Sequence, residues 1–302
     1  MRRFSACGLA VAAVLSLAAC GGGESVSERT TTLDEIRELT GLSAPVETPE
    51  AALARGLEVR ARADSLILST MHGETGSAGI PTFRFLTQCS GPRCTLTDPL
   101  SGAVDTIDLV NTPLRQGAAT ALGEKHGITL FRESSTHTGA DLASLGAWLE
   151  HSSFAILHES QTNDDGRVDV RRGIALGELT GAAPAGSATW LGLMTGTPVA
   201  GDARGERLAG DAALTYGFPA AGDGSGPSLH VAFGGITNID RGTVHTVETV
   251  IFSNLAVGPD GTFSRGHSGA RIQGAFHGPG HAEAAGIFEQ SDIVGAFGAR
   301  RQ

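Results

Sequence analysis

Positive charge is scarce in this 302-residue chain. It carries 22 Lys and Arg residues against 32 Asp and Glu residues, a formal net charge of −10. An acidic chain is a poor nucleic-acid binder, because neutralisation of phosphates by basic residues supplies most of the non-specific affinity. The sequence also has no basic–aromatic interleaving and no Gly-x-x-x-x-Gly-Lys loop. Nucleic-acid and nucleotide functions therefore have no support, and we expect no nucleic-acid partner.

Cysteine is also scarce, with four residues: Cys7, Cys20, Cys89 and Cys94. They lack the Cys/His spacing of a zinc site, and two cysteines alone cannot complete a tetrahedral metal shell. Cys89 and Cys94 flank a Ser-Gly-Pro-Arg turn between two segments with strand character. In an exported protein the default for such a pair is a disulfide, and a metal site is the alternative. The pattern predicts a Cys89–Cys94 disulfide across a hairpin.

Long apolar runs are missing as well, since no stretch after residue 20 is long enough to cross a bilayer as a helix. The first residues have a different character. A basic start is followed by a short apolar run, then by Leu-Ala-Ala-Cys20 and three glycines. This order is typical of a bacterial lipoprotein signal, in which the cysteine becomes the lipidated N-terminus. An ordinary secretory signal that is cut elsewhere is the alternative.

The lipoprotein interpretation defines the first two segments. Residues 1–19 are the predicted signal peptide, and Cys20 is the predicted lipid attachment, where acyl chains such as palmitate anchor the protein. Loss of Arg2 and Arg3 with the signal lowers the basic count from 22 to 20, so the mature formal charge is −12. Residues 20–31 offer almost nothing to bury, and we predict a disordered tether there.

Helical signals follow the tether. Thr32 and Glu35 have the spacing of a capping box, and apolar residues at helical spacing precede Gly41, which predicts a helix over 33–40. A second start at Thr48-Pro49-Glu50 is followed by apolar residues as far as Met71, and this pattern predicts one longer helix. We therefore expect a helical segment over residues 32–72.

The remaining sequence has strand character broken by glycine-rich turns, with 43 glycines spread along the chain. We expect a small β-rich subdomain over 73–187. Asn163-Asp164-Asp165-Gly166 predicts a hairpin turn, since it lacks the further acidic ligands of a calcium loop. Two stretches, 102–111 and 139–147, are ambiguous between strand and short helix.

From residue 188 onward the alternation becomes regular. The predicted strands are 188–195, 206–217, 228–236, 245–257, 261–265, 270–277, 284–289 and 292–298. Eight short antiparallel strands with tight turns indicate a closed up-and-down β-barrel over 188–302. The interior of such a barrel is filled by side chains or holds one small ligand. The expected fold class is therefore mainly β, with this barrel after the β-rich subdomain and the helical segment.

The last thirty residues carry a specific motif. They read Ile272-Gln-Gly-Ala-Phe-His-Gly-Pro279, then Glu283-Ala-Ala-Gly-Ile-Phe-Glu289, then Ile293-Val-Gly-Ala-Phe-Gly-Ala-Arg300. This motif resembles the closing strands of the lipoprotein barrel found in the transferrin-binding protein B family and in factor H-binding protein. Two positions depart from it: His277 stands where Tyr is usual, and Ala285 where Gly is usual. Upstream, Thr189-Trp190-x-Gly192-x-Met194-x-Gly196 resembles the family's first barrel strand.

The resemblance implies an outer-membrane lipoprotein whose barrel supports binding loops. Relatives in the family capture host proteins or haem-related cargo, and their loops vary with the partner. No binding residue is therefore carried over to this chain, and its ligand-binding residues stay unknown. The matching glycines and phenylalanines are structural. The chain offers one such barrel, where transferrin-binding protein B has two lobes.

The sequence gives only weak support for catalytic residues and metal ligands. Gly266-His267-Ser268-Gly269 superficially resembles a hydrolase motif, but Ala270 stands where the second glycine of Gly-x-Ser-x-Gly is required. His277, His281 and Glu283 are close enough in sequence to hold a metal, but Glu283 belongs to the structural motif and is expected to secure the turn. We predict no catalytic residue, no metal ligand and no cofactor, and hence no enzyme.

The sequence therefore predicts a lipid-anchored binding module of the outer membrane, exposed at the cell surface or on the periplasmic side. Its partner would be a protein or a small molecule, with a haem- or iron-related ligand as one option. The alternative is a structural or interaction lipoprotein of the envelope without a soluble ligand. A polar cavity in the barrel with converging titratable groups would favour a small ligand or catalysis. An interior packed with Phe and Val, beside an exposed apolar patch on the loops, would favour a protein partner.

Overall fold

The computed structural model describes residues 31–62, 67–73, 80–82, 86–90, 93–97, 104–108, 119–137, 140–163, 166–217, 226–267 and 269–302. Within these ranges the chain is mainly β, as predicted. The helices are α1 (Leu33–Thr40) and α2 (Pro49–Arg62). The first ten strands are β1 (Ile67–Gly73), β2 (Ile80–Thr82), β3 (Leu86–Ser90), β4 (Arg93–Thr97), β5 (Val104–Asp108), β6 (Thr120–Lys125), β7 (Ile128–His137), β8 (Ala140–Trp148), β9 (Ser152–Asn163) and β10 (Gly166–Gly177). The others are β11 (Ala188–Pro198), β12 (Leu208–Gly217), β13 (Ser228–Asn238), β14 (Thr243–Val244), β15 (Thr249–Leu255), β16 (Thr262–His267), β17 (Ala270–His277), β18 (Glu283–Gln290) and β19 (Ile293–Arg301).

The capping box predicted for α1 is present. The hydroxyl of Thr32 accepts a hydrogen bond from the Glu35 amide at 3.3 Å, and the Glu35 carboxylate accepts one from the Thr32 amide at 2.9 Å. Gly41, with φ of 68°, ends the helix in the left-handed conformation that glycine adopts without strain. Ile36 is the buried residue of this helix and fixes α1 against the body of the protein.

The second helix is shorter than predicted. It ends at Arg62, and residues 67–73 form the strand β1, which pairs antiparallel with β10 from Ile67–Leu176 to Gly73–Val170. The expectation of one helix reaching Met71 was therefore wrong for this part. Pairing with a strand about a hundred residues later outweighed a local apolar pattern that is compatible with either structure. Neither α1 nor α2 has the length and apolar character that a membrane-spanning helix requires.

Seven strands form the first large sheet, which we call the N-terminal sheet. Its order is β2-β1-β10-β9-β8-β7-β6. The predicted hairpin is confirmed, because Asn163 pairs with Gly166 where β9 passes into β10. The two ambiguous stretches contain strands, β5 and β8. Strands β3, β4 and β5 form a separate small sheet in which Cys89 is directly opposite Cys94 across the hairpin.

The second large sheet, the C-terminal sheet, follows an up-and-down ring. Strands β11, β12, β13 and β15 pair in succession, as do β16, β17, β18 and β19, and the ladder between β11 and β19 joins the first strand to the last. The short β14 pairs with the end of β13. All eight strands predicted from residue 188 onward are present, and each extends over most of its predicted range.

The ring differs from the predicted closed barrel at one seam. Among the described residues, β15 and β16 share no continuous ladder, and an isolated bridge joins Val257, two residues after β15, to Phe263 of β16. The side chain of Arg265 donates a hydrogen bond to the Ser253 carbonyl, so a guanidinium takes the place of a backbone donor from the neighbouring strand. Asn254 adds a left-handed residue, with φ of 57°, near the end of β15. The seam therefore interrupts the hydrogen-bonded circle.

The two large sheets pack face to face. Strands β9 and β10 of the N-terminal sheet contact β18 and β19 of the C-terminal sheet. Apolar side chains fill the layer between them, among them Phe154, Ile156, Ile287 and Ala296. The backbones approach closely at Gly173, where a Cβ atom would lie 2.4 Å from the Gly295 carbonyl oxygen. The C-terminal sheet thus has one wall covered by the N-terminal sheet, on the side of β17 to β19.

Candidate functional site

Aromatic rings fill the interior of the C-terminal sheet. The Phe233 ring centroid lies 4.4 Å from that of Phe288 and 5.1 Å from that of Phe297. Phe263 lies 5.7 Å from Phe276, which lies 4.6 Å from Trp190. Apolar side chains complete this cluster, including Met194, Leu214, Val231, Val250, Phe252 and Ile272. Because the rings contact one another across the ring of strands, this interior is a packed apolar core.

One end of this core is covered by a turn. Residues Pro279–His281 form a short 3-10 turn after β17, and the Trp190 indole donates a hydrogen bond to the His281 carbonyl at 2.7 Å. The Arg301 guanidinium lies over the Trp190 ring at 5.8 Å. The Gly-Pro-Gly segment of the sequence motif therefore covers one end of the aromatic core.

Glu283, the first residue of β18, joins the two large sheets. Its side chain is 2 % exposed. Its carboxylate accepts hydrogen bonds from the amides of Glu150 and His151, at 2.9 and 3.0 Å, and from the Ser152 hydroxyl at 2.8 Å. Glu150 and His151 belong to the turn between β8 and β9, and Ser152 is the first residue of β9. Glu283 was expected to secure its own turn, but it holds the turn of the other sheet.

His277 is the other buried titratable residue at this end of the molecule. Its ring is buried, and a Cβ atom on Gly177 of the N-terminal sheet would lie only 2.3 Å from the Nδ1 atom. Neither ring nitrogen has a hydrogen-bond partner. The pKa of His277 is lowered to about 4, mainly by burial and to a smaller extent by the nearby His151, while the backbone at Glu178 and Ala285 acts in the opposite direction. The imidazole is therefore neutral at pH 7.

The three residues considered as metal ligands do not converge. His277 is enclosed between the sheets, both oxygens of Glu283 accept hydrogen bonds from the β8–β9 turn, and the Nε2 atom of His281 lies 2.8 Å from the Ala182 carbonyl. Across the described ranges, no group of His, Cys, Asp and Glu residues is arranged to hold a metal ion. Cys20 and Ser268 lie outside those ranges, so lipid attachment at Cys20 stays a prediction.

A polar network lies where the chain enters the described structure. The Thr31 hydroxyl donates to the Asp240 carbonyl at 3.0 Å. The Arg207 side chain binds the Asp240 carboxylate through two nitrogens, at 3.0 and 2.6 Å. Hydrogen bonding to Glu206 raises the pKa of the neighbouring Arg241, which stays charged. These contacts join residues from separate loops, and no sequence motif indicated them.

A groove of about 260 Å³ lies beside this network. Its lining consists of Thr31, Glu35, Glu38, Leu39, Arg241 and Gly242. One wall, from α1, presents two carboxylates, and the other presents the Arg241 guanidinium, which is already paired with Glu206. The groove is thus a surface cleft between α1 and the turn after β13.

The wall formed by β13, β14 and β15 carries two exposed apolar side chains. Ile251 of β15 is 48 % exposed and Val244 of β14 is 57 % exposed. Both strands pair with β13, away from the wall that packs against the N-terminal sheet. We call this surface of β13, β14 and β15, with the exposed Val244 and Ile251, the outer wall.

Comparison with known proteins gives similarities at the level of structure only. No protein-family model and no curated protein matches the chain. It is similar to transferrin-binding protein B from Haemophilus parasuis (14 % identity, TM-score 0.37) and from serogroup B Neisseria meningitidis (14 %, 0.31), each over 78 % of this chain. It is also similar to the N-lobe of lactoferrin-binding protein B from Moraxella bovis (10 %, 0.24), over 58 % of this chain and 80 % of that one.

The lengths differ. The chain spans 45 % and 44 % of the two transferrin-binding protein B chains, less than half of each. The fold of this chain is defined by its own strand pairing.

Proposed function

We propose that this chain is a lipid-anchored lipoprotein of the outer membrane that binds a protein partner on its surface and performs no catalysis. The observation that carries the proposal is the packed aromatic interior of the C-terminal sheet. Phe233, Phe276, Phe288 and Trp190 contact other rings of the core, so a ligand has to bind outside it. An outer surface offers contact area that suits a protein better than a small molecule.

The outer wall supports this choice of partner. Exposed Val244 and Ile251 lie on two strands that pair with successive parts of β13, Thr237–Asn238 for β14 and Leu229–Gly234 for β15. We propose that the outer wall forms part of the contact. The sequence resemblance of residues 272–300 makes soluble iron carriers such as transferrin and lactoferrin the first partners to test.

The anchor is the second part of the proposal. Lipid on Cys20 would be followed by a tether that reaches the body of the protein at Thr31, beside Asp240. The tether would then enter near the turn between β13 and β14. We also propose the Cys89–Cys94 disulfide, which the directly opposed positions of the two residues on β3 and β4 permit.

A cysteine exchange tests the anchor. Cys20→Ser is expected to move the protein from the membrane fraction to the soluble fraction and to abolish its labelling by a palmitate analogue, because the acyl attachment is lost. Cys7→Ser is the matched control, since Cys7 would leave with the signal, and it should behave as the wild type. Membrane association that survives Cys20→Ser would contradict lipid anchoring through this residue.

A binding assay tests the partner. Wild-type protein should capture immobilised transferrin, lactoferrin or an envelope protein, and Ile251→Asp should reduce capture at least tenfold, because a charge on the outer wall opposes desolvation. Val46→Asp is the control, since Val46 is 82 % exposed outside the outer wall, and it should leave binding unchanged. A haem absorbance band in the purified protein would overturn the choice of a protein partner. Absence of any capture would favour the structural lipoprotein.

A further inference from the structure

A three-residue strap joins the two large sheets at the end where Glu283 and His277 lie. Residues 178–180 continue from β10 and are here called the strap. The Glu178 amide donates to the His151 carbonyl at 2.9 Å, and the Gly278 amide donates to the Glu178 carbonyl at 3.0 Å. The Thr180 amide donates to the Phe276 carbonyl at 3.0 Å. The strap therefore forms backbone hydrogen bonds with both sheets, and Leu179 is bridged to His277.

His277 lies at the centre of this joint. Gly177, just before the strap, lies against its ring, and its two nitrogens have no hydrogen-bond partner. The charged or titratable groups on the elements packed around it are Glu178 of the strap, His151 of the β8–β9 turn and Glu283, its pairing partner on β18, which in turn pairs with Arg300 of β19.

The carboxylates near His277 are already engaged. Glu283 accepts three hydrogen bonds from the β8–β9 turn and the start of β9, and an oxygen of Glu178 lies 3.4 Å from Nδ1 of His151. A proton on His277 would thus place a charge in a buried site, next to a second imidazole, where the backbone at Glu178 and Ala285 compensates only in part for the lost hydration. In water the same charge would be hydrated, so protonation favours a state in which the ring is exposed.

We infer that this joint is an acid-sensitive latch: protonation of His277 detaches the strap and the β8–β9 turn from the C-terminal sheet. The opening is local. The aromatic core inside the C-terminal sheet stays packed, and the apolar layer between the sheets loses only the partly buried Leu179 of the strap.

The size of the effect follows from linkage. The pKa of His277 is about 4 when the joint is closed, compared with 6.5 for an exposed histidine. Neutral His277 therefore stabilises the closed joint fully above pH 6.5, and this contribution is lost as the pH falls from 6.5 to 4. From these two pKa values, the opening equilibrium constant should rise about 70-fold between pH 7.5 and pH 4.5.

Hydrogen–deuterium exchange on the purified full-length chain tests the latch. After correction for the intrinsic pH dependence of exchange, the amides of Glu178, Thr180 and Gly278 should lose protection by about 70-fold at pH 4.5. Amides of the ladder between β11 and β12 should keep theirs. A loss of equal size in both regions, or no loss at the strap, would overturn the inference.

Two histidine variants separate His277 from other acid effects. His277→Gln cannot titrate and should remove most of the pH dependence of exchange at the strap. His230→Gln is the matched control, since His230 is exposed on β13, and it should retain the wild-type response. A His277→Gln protein with an unchanged acid response would overturn the inference. If that variant does not fold, exchange of the wild-type protein still tests the inference, because the latch predicts a loss of protection at the strap and none in the ladder between β11 and β12.

Discussion

Phe233→Ala is expected to lower the free energy of unfolding by about 3–5 kcal/mol, the range measured for aromatic truncations in packed cores. The Phe233 side chain is buried and its ring contacts three others, those of Phe252, Phe288 and Phe297, at centroid distances of 6.3, 4.4 and 5.1 Å. Removing it leaves a cavity bounded by ring faces that the rigid strands cannot bring together. The loss of stability thus measures how completely the interior is filled.

Urea unfolding followed by tryptophan fluorescence measures this effect. The chain has two tryptophans, and Trp190 lies in the same core as Phe233, whereas Trp148 packs in a separate cluster. A Trp148→Phe background therefore makes the signal report on the C-terminal sheet. Ile251→Ala is the matched control, because Ile251 is 48 % exposed, and it should cost less than about 1 kcal/mol.

A small effect at Phe233 would have consequences for function. If Phe233→Ala cost no more than Ile251→Ala, the interior would be loosely packed and capable of holding a ligand. The argument for a protein partner depends on the opposite result. The same experiment therefore tests the core and the main support for the proposed binding mode.

The strands from residue 188 onward were predictable because their signals are local. Apolar and polar residues alternate along β13, with Leu229, Val231 and Phe233 buried, and glycine-rich turns separate the strands. Predicted strand 270–277 coincides with β17 (Ala270–His277), and predicted 228–236 lies within β13 (Ser228–Asn238). Side-chain period and turn chemistry together define such strands without knowledge of their partners.

Pairing partners were less predictable, because they depend on residues far away in sequence. The sequence of β1 was predicted to be helical, but these residues form a strand because they pair with β10. At the seam between β15 and β16, the Arg265 side chain donates to the Ser253 carbonyl. A local sequence pattern shows the alternation of side chains along a strand. It does not show which distant strand or side chain will contact the edge of that strand.

The joint between the sheets was partly visible in the sequence. The motif of residues 272–300 contains both His277 and Glu283, and the replacement of the usual Tyr by His277 marked an unusual position. Their roles were not visible, because the partners of Glu283 lie more than 130 positions earlier in the chain. Burial of His277 likewise results from packing against Gly177 of the other sheet.

Glu283→Ala is expected to lower the free energy of unfolding by about 3–5 kcal/mol, because it leaves two amides of the β8–β9 turn and a hydroxyl at the start of β9 without their buried acceptor. Glu283→Gln keeps one acceptor oxygen but turns an amide group toward the donors, so about 1–3 kcal/mol should be lost. Glu178→Ala is the matched control at the same joint. Its side chain is 42 % exposed, and the change should cost less than about 1 kcal/mol.

Urea unfolding followed by circular dichroism measures these losses, and amide exchange locates them. Glu283→Ala should expose the amides of Glu150 and His151 to exchange already at pH 7.5, where the latch through His277 is closed. His277→Gln should leave these amides protected at that pH. The two residues thus hold one joint by different means: Glu283 through its hydrogen bonds to the β8–β9 turn, and His277 through remaining neutral beneath the strap. Equal losses for Glu283→Ala and Glu178→Ala would show that the turn does not depend on the buried carboxylate, and the joint would then rest on apolar packing alone.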